Sequence, residues 1–204
     1  MGSKSQRNRL SAHPLPPEDW EQRVLPISEC QVVWYRLNPS RHASALYFDR
    51  SGMGRYDGSR QSYGILYVAE TVEGAFIESF GRTHGAKGVA EEDLKNRNLF
   101  EIKSDRSLRL VDLFGSGLVK IGADARITSG SDYETSRAWG EAIYLHPLKV
   151  DGIRYYSRHD NTQFCCGLFE RTSTHLNEQN RGNLVNDNAE LLADILERYD
   201  YALL

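Results

Sequence analysis

A chain of 204 residues, 40% hydrophobic and 26% charged, is long enough to bury a core as one domain. Its net charge of -3 gives no basis for electrostatic capture of nucleic acid or of an anionic membrane. Three cysteines (Cys30, Cys165 and Cys166) make neither a disulfide framework nor a zinc pattern, and the six histidines lack metal-ligand spacing. No apolar run approaches the ~18 residues of a membrane span, and the N-terminus has no signal-peptide core. A cytoplasmic protein without metal is expected.

Residues 1–25 read as an extended lead-in, with Pro14, Pro16 and Pro17, that docks through Trp20. The run Val32–Leu37 is apolar and β-branched enough for a strand, interrupted by one basic residue, Arg36. Residues 38–62 have few periodic signals but much Gly, Ser, Arg and Tyr; a loop of this length is usually functional or mobile. Gly64–Ala69 is a second strand. It runs into a helix that Thr71 caps, with Glu73 in the first turn. Val72, Ala75, Phe76, Ser79 and Phe80 recur at three- and four-residue steps and give that helix its buried face.

Strands follow at Leu99–Lys103 and Leu108–Leu113. Ser131-Asp132-Tyr133-Glu134 has capping-box spacing and opens a helix with Ala138, Trp139, Ala142 and Ile143 on one side. Pro147 stops it. Gly152–Ser157 and Phe164–Glu170 read as strands around the polar turn Arg158–Asn161, and residues 171–187 as loop. A second capping-box-like segment, Asp187–Glu190, opens a last amphipathic helix that buries Leu191, Leu192, Ile195, Leu196 and Tyr199. There is no repeat, no linker and no regular βαβ alternation, so the fold class is α+β in a single domain over residues 26–204.

Four positions carry chemistry, each beside a plainer reading. Arg36 in a strand needs a partner, either a structural carboxylate or the oxygens of a bound phosphate. Arg55, between Gly52, Gly54 and Gly58, either clamps a pyrophosphate or sits in a solvated loop. Glu78 flanks the apolar stripe of its helix and stands four residues before Arg82. It is a surface i,i+4 pair, or a carboxylate that lines a cleft and stabilises a sugar oxocarbenium ion. Ser157 ends a strand and either caps it or contacts a ligand.

The order of these features is more specific than any one of them. An Arg-bearing strand precedes a Gly-Arg-Tyr loop, then Gly-Ile-Leu-Tyr-Val-Ala-Glu leads into the helix of Ala75 and Glu78, and Asp-Gly-Ile-Arg-Tyr-Tyr-Ser closes the set. From Val33 to Phe169 this resembles the RES-domain family. The resemblance implies a fold similar to ADP-ribosyltransferases, with NAD+ in a cleft of a split mixed sheet flanked by helices. It implies cleavage of the nicotinamide–ribose bond by water or phosphate, or alternatively ADP-ribose transfer to a protein. A non-catalytic nucleotide- or partner-binding homologue is a further alternative.

Carried over by position, Arg36 and Arg55 would hold the pyrophosphate, and Tyr67 would stack on or orient the nicotinamide end. Tyr56 stands where the family usually has Trp and would stack likewise. Ser157 would bond the nicotinamide ribose or amide, with Ser136 as second claimant for the serine role. Glu78 would stabilise the oxocarbenium ion or orient the acceptor. The implied partner is a helix-turn-helix (Xre-type) antitoxin; this chain has no DNA-binding motif of its own.

Overall fold

The computed structural model describes residues 14–81, 87–131 and 133–204, Arg60 by its backbone alone. The strands are β1 (Ile27–Cys30), β2 (Trp34–Pro39), β3 (Ile65–Ala69), β4 (Gly88–Val89), β5 (Arg97–Ser104), β6 (Leu108–Asp112), β7 (Gly152–Tyr156), β8 (Phe164–Phe169), β9 (Leu176–Asn180) and β10 (Ala202–Leu203). The helices are α1 (Val72–Phe80), α2 (Glu91–Lys95), α3 (Ser116–Ile121), α4 (Arg126–Ser129), α5 (Tyr133–Leu145) and α6 (Ala189–Tyr199). Eight strands form one mixed sheet in the order β1-β6-β7-β8-β3-β2-β5-β9, while β4 and β10 pair separately. Within the eight-stranded sheet only β6 and β7 run parallel, and the crossover a parallel pair requires is the segment holding α3, α4 and α5. The expected α+β class is therefore observed.

Side chains alternate between two apolar layers, as the period of a strand dictates. Ile65, Ala69, Val111, Ile153, Tyr155, Cys165 and Phe169 pack under the helices with Phe76, Trp139, Ile143 and Ile195. Their strand neighbours Leu66, Val68, Leu108, Leu110, Cys166 and Leu168 pack on the opposite face, where Ala45, Leu46 and Phe48 cover them. The adjacent cysteines thus serve one layer each, and burial pushes both thiols well above their usual pKa.

The lead-in docks as its Trp suggests, over the residues described. Trp20 Nε1 donates to the Ala142 carbonyl at 2.9 Å, and its ring meets Trp139 edge-on at 5.1 Å. Trp139 Nε1 in turn donates to the Pro14 carbonyl. Residues 1–13 lie outside the described part. Thr71 caps α1 by accepting from Gly74 N at 2.9 Å. The expected cap of α5 falls partly on Asp132, outside the described residues.

Two expectations need correction. Residues 171–187 are not all loop: a 3-10 turn over Glu170–His175 leads into β9, paired with β5 from Leu176↔Ser104 to Asn180↔Phe100. The sequence Leu-Asn-Glu-Gln-Asn hides this because an edge strand buries little of itself, here only Leu176. Nor does Asp187 cap α6. Its carboxylate accepts from Asn183 N at 2.8 Å and closes the preceding turn, while Asn188 takes the cap position.

Asp151 anchors the β6–β7 side of the sheet. It is 4% exposed, accepts both Arg106 Nη1 and Nη2 at 2.8 and 2.7 Å, and accepts Arg109 N at 2.8 Å. Burial alone would raise its pKa, but the Arg106 fork and the Arg109 amide outweigh it and hold the carboxyl below its ordinary value. A depressed folded pKa means stability that is complete above the unfolded value of about 3.9 and is lost as pH falls through the folded one. Asp151→Asn is expected to flatten the acid limb of the stability–pH curve below about pH 4, measured by denaturant melts. At neutral pH it should cost about 1–2 kcal/mol, a modest figure because the Arg106 side chain is 38% exposed. An unchanged acid limb would show that other carboxylates set it.

No described helix is long and apolar enough to cross a membrane.

Candidate active site

The sheet is nearly severed between β2 and β3. They share one register pair, Tyr35↔Ala69, against six pairs between β2 and β5 and five between β3 and β8. Continuing that antiparallel register would place residue 39 opposite residue 65, but Ile65 bridges Asp49 instead. The Arg36 guanidinium crosses the gap and donates to the Tyr67 carbonyl at 3.2 Å, supplying a donor that the departing β2 backbone does not. A cleft of about 550 Å³ opens along this split, walled by β2, β3, α1 and the loop of Gly54 and Arg55.

The loop over residues 38–62 is firmly held where it meets the cleft. Gly54 N donates to Asp57 Oδ2 at 2.8 Å, and Arg137 Nε donates to the Gly54 carbonyl at 3.0 Å. Arg55 between them is only 7% exposed. Its Nη1 donates to the Gly130 carbonyl at 2.8 Å, its guanidinium lies 4.5 Å from the Tyr133 ring centre, and its Nη2 is buried without a partner. A buried donor with no acceptor is costly, so the Arg55 guanidinium is held at a cost in free energy.

Four arginines line the cleft: Arg36, Arg55, Arg97 and Arg158. Among the described residues none of them pairs with a carboxylate. The structural carboxylate, one of the two readings of Arg36, is therefore absent there, and burial, assisted by nearby Arg97 and opposed by Asp49, lowers its pKa.

Among the described residues, Glu78 is the acidic residue on the cleft wall. Ser157 Oγ donates to Glu78 Oε1 at 2.6 Å and itself accepts from His159 N at 3.1 Å, so the turn after β7 orients the carboxylate. Ser157 is 2% exposed and sits behind Glu78 rather than on the wall. The alternative pairing of Glu78 with Arg82 lies outside the described residues. Ser136 is wholly buried and donates to the Ile127 carbonyl at 2.7 Å; it is not on the cleft wall.

Tyr67 lines the cleft from β3, and Tyr155 and Cys165 close its floor. Burial first, then the neighbouring Glu78 charge, raise the Cys165 thiol well above its usual range, so it offers no thiolate nucleophile near neutrality. Tyr56 does not fit the stacking role expected of it. Its ring is 0% exposed, packs edge-on against Tyr155 at 5.1 Å and donates its hydroxyl to the Ile127 carbonyl at 3.3 Å. The loop turns that side chain inward under α5; Tyr133, partly exposed beside Arg55, is the ring that faces the cleft instead.

The residues that sequence reasoning missed are Asp57, Arg97, Tyr133 and Arg158. Only Asp57 left a signal, a carboxylate three residues after Gly54, the reach of a capping-box-like bond to that amide.

The RES-domain family model matches residues 33–185. The chain belongs to the RES-domain family. This RES domain is similar to the "Probable toxin y4kH" of Sinorhizobium fredii, 28% identical over 121 residues that make up 58% of this chain and 94% of that protein. In fold it is similar to a chain in the crystal structure of the M. tuberculosis MbcT-MbcA toxin-antitoxin complex. There the TM-score is 0.65 at 18% identity, over 85% of this chain and 98% of the other.

Proposed function

We propose that this RES domain binds NAD+ in the cleft and cleaves its nicotinamide–ribose bond, with water or phosphate as acceptor, as the toxin of a toxin–antitoxin pair. The observation that supports this most is the charge pattern of one cleft: among the described residues, a single carboxylate, Glu78, stands on walls that bear four arginines without carboxylate partners. NAD+ has the complementary pattern, an anionic pyrophosphate at one part and a cationic nicotinamide ribosyl centre at another. Arg55 and Arg36 take the pyrophosphate, and the Tyr67 ring borders the nicotinamide end.

The C1″–N bond breaks with its electron pair going to the nicotinamide nitrogen, which leaves neutral. The ribosyl centre becomes an oxocarbenium ion opposite Glu78, whose charge stabilises it. Water then adds at C1″ and releases a proton, giving ADP-ribose; phosphate adds in the same way to give ADP-ribose-1″-phosphate. A neutral leaving group needs no general acid, so none is required of His159 on the cleft wall.

The split sheet supports a likeness to the ADP-ribosyltransferase fold. The two similar proteins, one a probable toxin and one from a toxin–antitoxin complex, favour an antitoxin partner, of the helix-turn-helix type that the family implies.

The test is purified protein with NAD+, with and without phosphate, followed by chromatography of nicotinamide, ADP-ribose and ADP-ribose-1″-phosphate. Nicotinamide release with either sugar product is expected. Release coupled only to labelling of an added protein acceptor would replace the reading with ADP-ribosyl transfer. No release under any condition would replace it with a binding role.

A further inference from the structure

Asp57 is wholly buried, yet it is in no ion pair among the described residues. Its two oxygens are both engaged next to the cleft: Oδ1 accepts the Tyr67 hydroxyl at 2.8 Å and Oδ2 accepts Gly54 N at 2.8 Å. The same hydroxyl accepts Tyr56 N at 2.9 Å. A phenol has one proton to give, and here it is given to Asp57. We propose that Asp57 is a positioning residue of the cleft, which commits the Tyr67 hydroxyl so that Tyr67 meets the substrate with its ring, and holds the Gly54 amide so that Arg55 stands at a fixed depth beside it.

Three further facts support a built clasp. A Cβ on Gly54 would lie 2.2 Å from Asp57 Oδ1 and 2.7 Å from the Tyr67 hydroxyl, so the close approach requires glycine at that position. Burial, and then Asp57, raise the Tyr67 phenol well above its ordinary pKa, which keeps it the neutral donor that the clasp needs. The clasp also joins the two walls that bear Tyr67 and Arg55, while Glu78 and Ser157 stand apart from it on α1 and after β7. Disturbing it should therefore weaken substrate binding more than the bond-breaking step.

This inference rests on the NAD+ reading, and steady-state nicotinamide release tests both. Asp57→Asn can keep Gly54 N only by turning its NH2 toward the Tyr67 hydroxyl, which must then accept where it now donates, and the phenol proton leaves the clasp. Its KM for NAD+ is expected to rise about tenfold with kcat within about threefold of wild type. Tyr67→Phe opens the same clasp from the other side, and should also raise KM with kcat little changed. In the double variant the Asn carbonyl can turn to Gly54 N with no hydroxyl opposing its amide, so KM should be no higher than for Asp57→Asn alone.

An unchanged KM with a lowered melting temperature would make Asp57 a structural staple only and overturn the proposal. KM increases that multiply in the double variant would overturn it too, since the residues would then act separately. If Asp57→Asn does not fold, an unchanged KM in Tyr67→Phe overturns it. A wild-type protein that releases no nicotinamide overturns the NAD+ reading, and this inference with it; normal release with unaltered variants overturns this inference alone.

Discussion

Replacing Glu78 by Gln is expected to lower kcat for nicotinamide release by about a thousandfold while leaving KM within a few-fold of wild type. The substitution keeps the size of the side chain and an oxygen to accept the Ser157 hydroxyl, so α1 and the turn after β7 have no reason to move. What it removes is a negative charge opposite a centre that becomes positive only in the transition state. At about 4 Å and an effective dielectric near 20, that interaction is worth about 4 kcal/mol, which is roughly a thousandfold in rate. Ground-state binding depends mainly on the arginines and should survive.

Ser157→Ala separates orientation from charge: the Glu78 side chain is kept but loses its 2.6 Å donor, and kcat should fall about tenfold. Parallel melting curves would confirm that both variants are folded. A Glu78→Gln enzyme with more than a tenth of the wild-type kcat would remove Glu78 from the chemistry.

Much of the fold was legible because its elements declare themselves locally. Thr71 caps α1 where its position before Val72 predicts, and the three- and four-residue apolar steps that follow place Val72, Ala75 and Phe76 in the core. The strands around Tyr67 and Ile153 could be read because each lies in the middle of the sheet, and their β-branched and aromatic runs reflect burial on two faces. The elements at the rim were not legible. β9 takes its extended form from the ladder β5 offers it, and a polar pentapeptide carries no trace of that neighbour. The short strand β1, at the other edge, is equally silent for the same reason.

At the site, the residues that sequence order picks out, Arg36, Arg55, Tyr67 and Glu78, all line one cleft from different walls, with Ser157 directly behind Glu78. What it could not give was direction. Arg55 and Tyr56 are consecutive, yet one points into the cleft and the other into the core, because the loop is pinned by Asp57, Arg137 and Tyr67 rather than by any periodicity of its own. The choice between Ser157 and Ser136 is likewise a matter of register: both are buried, but only Ser157 reaches Glu78. Arg97 and Arg158 join the cleft from β5 and from the turn after β7, and in the sequence each is one surface-type residue among many.

Arg55→Ala should act on binding where Glu78→Gln acts on rate. The guanidinium is fixed from two sides, by the Gly130 carbonyl at 2.8 Å and the Tyr133 ring at 4.5 Å, and so loses little freedom when a ligand arrives. On the NAD+ reading, a phosphate oxygen in the cleft takes a charge-assisted bond from this guanidinium. Charge-assisted bonds of this kind are worth about 1.5–3 kcal/mol, so KM for NAD+ is expected to rise about a hundredfold with kcat changed by less than about tenfold. Arg55→Lys restores a charge but neither the planar fork nor the contact with Tyr133, and should recover only about a tenth of the lost affinity.

Nicotinamide riboside supplies the internal control. It has the same scissile bond and no pyrophosphate, so wild type and Arg55→Ala should cleave it at the same low efficiency. If the variant were impaired equally on both substrates, Arg55 would be serving the reacting ribose or the integrity of its loop, and the pyrophosphate would have to be assigned to Arg36, Arg97 and Arg158 instead.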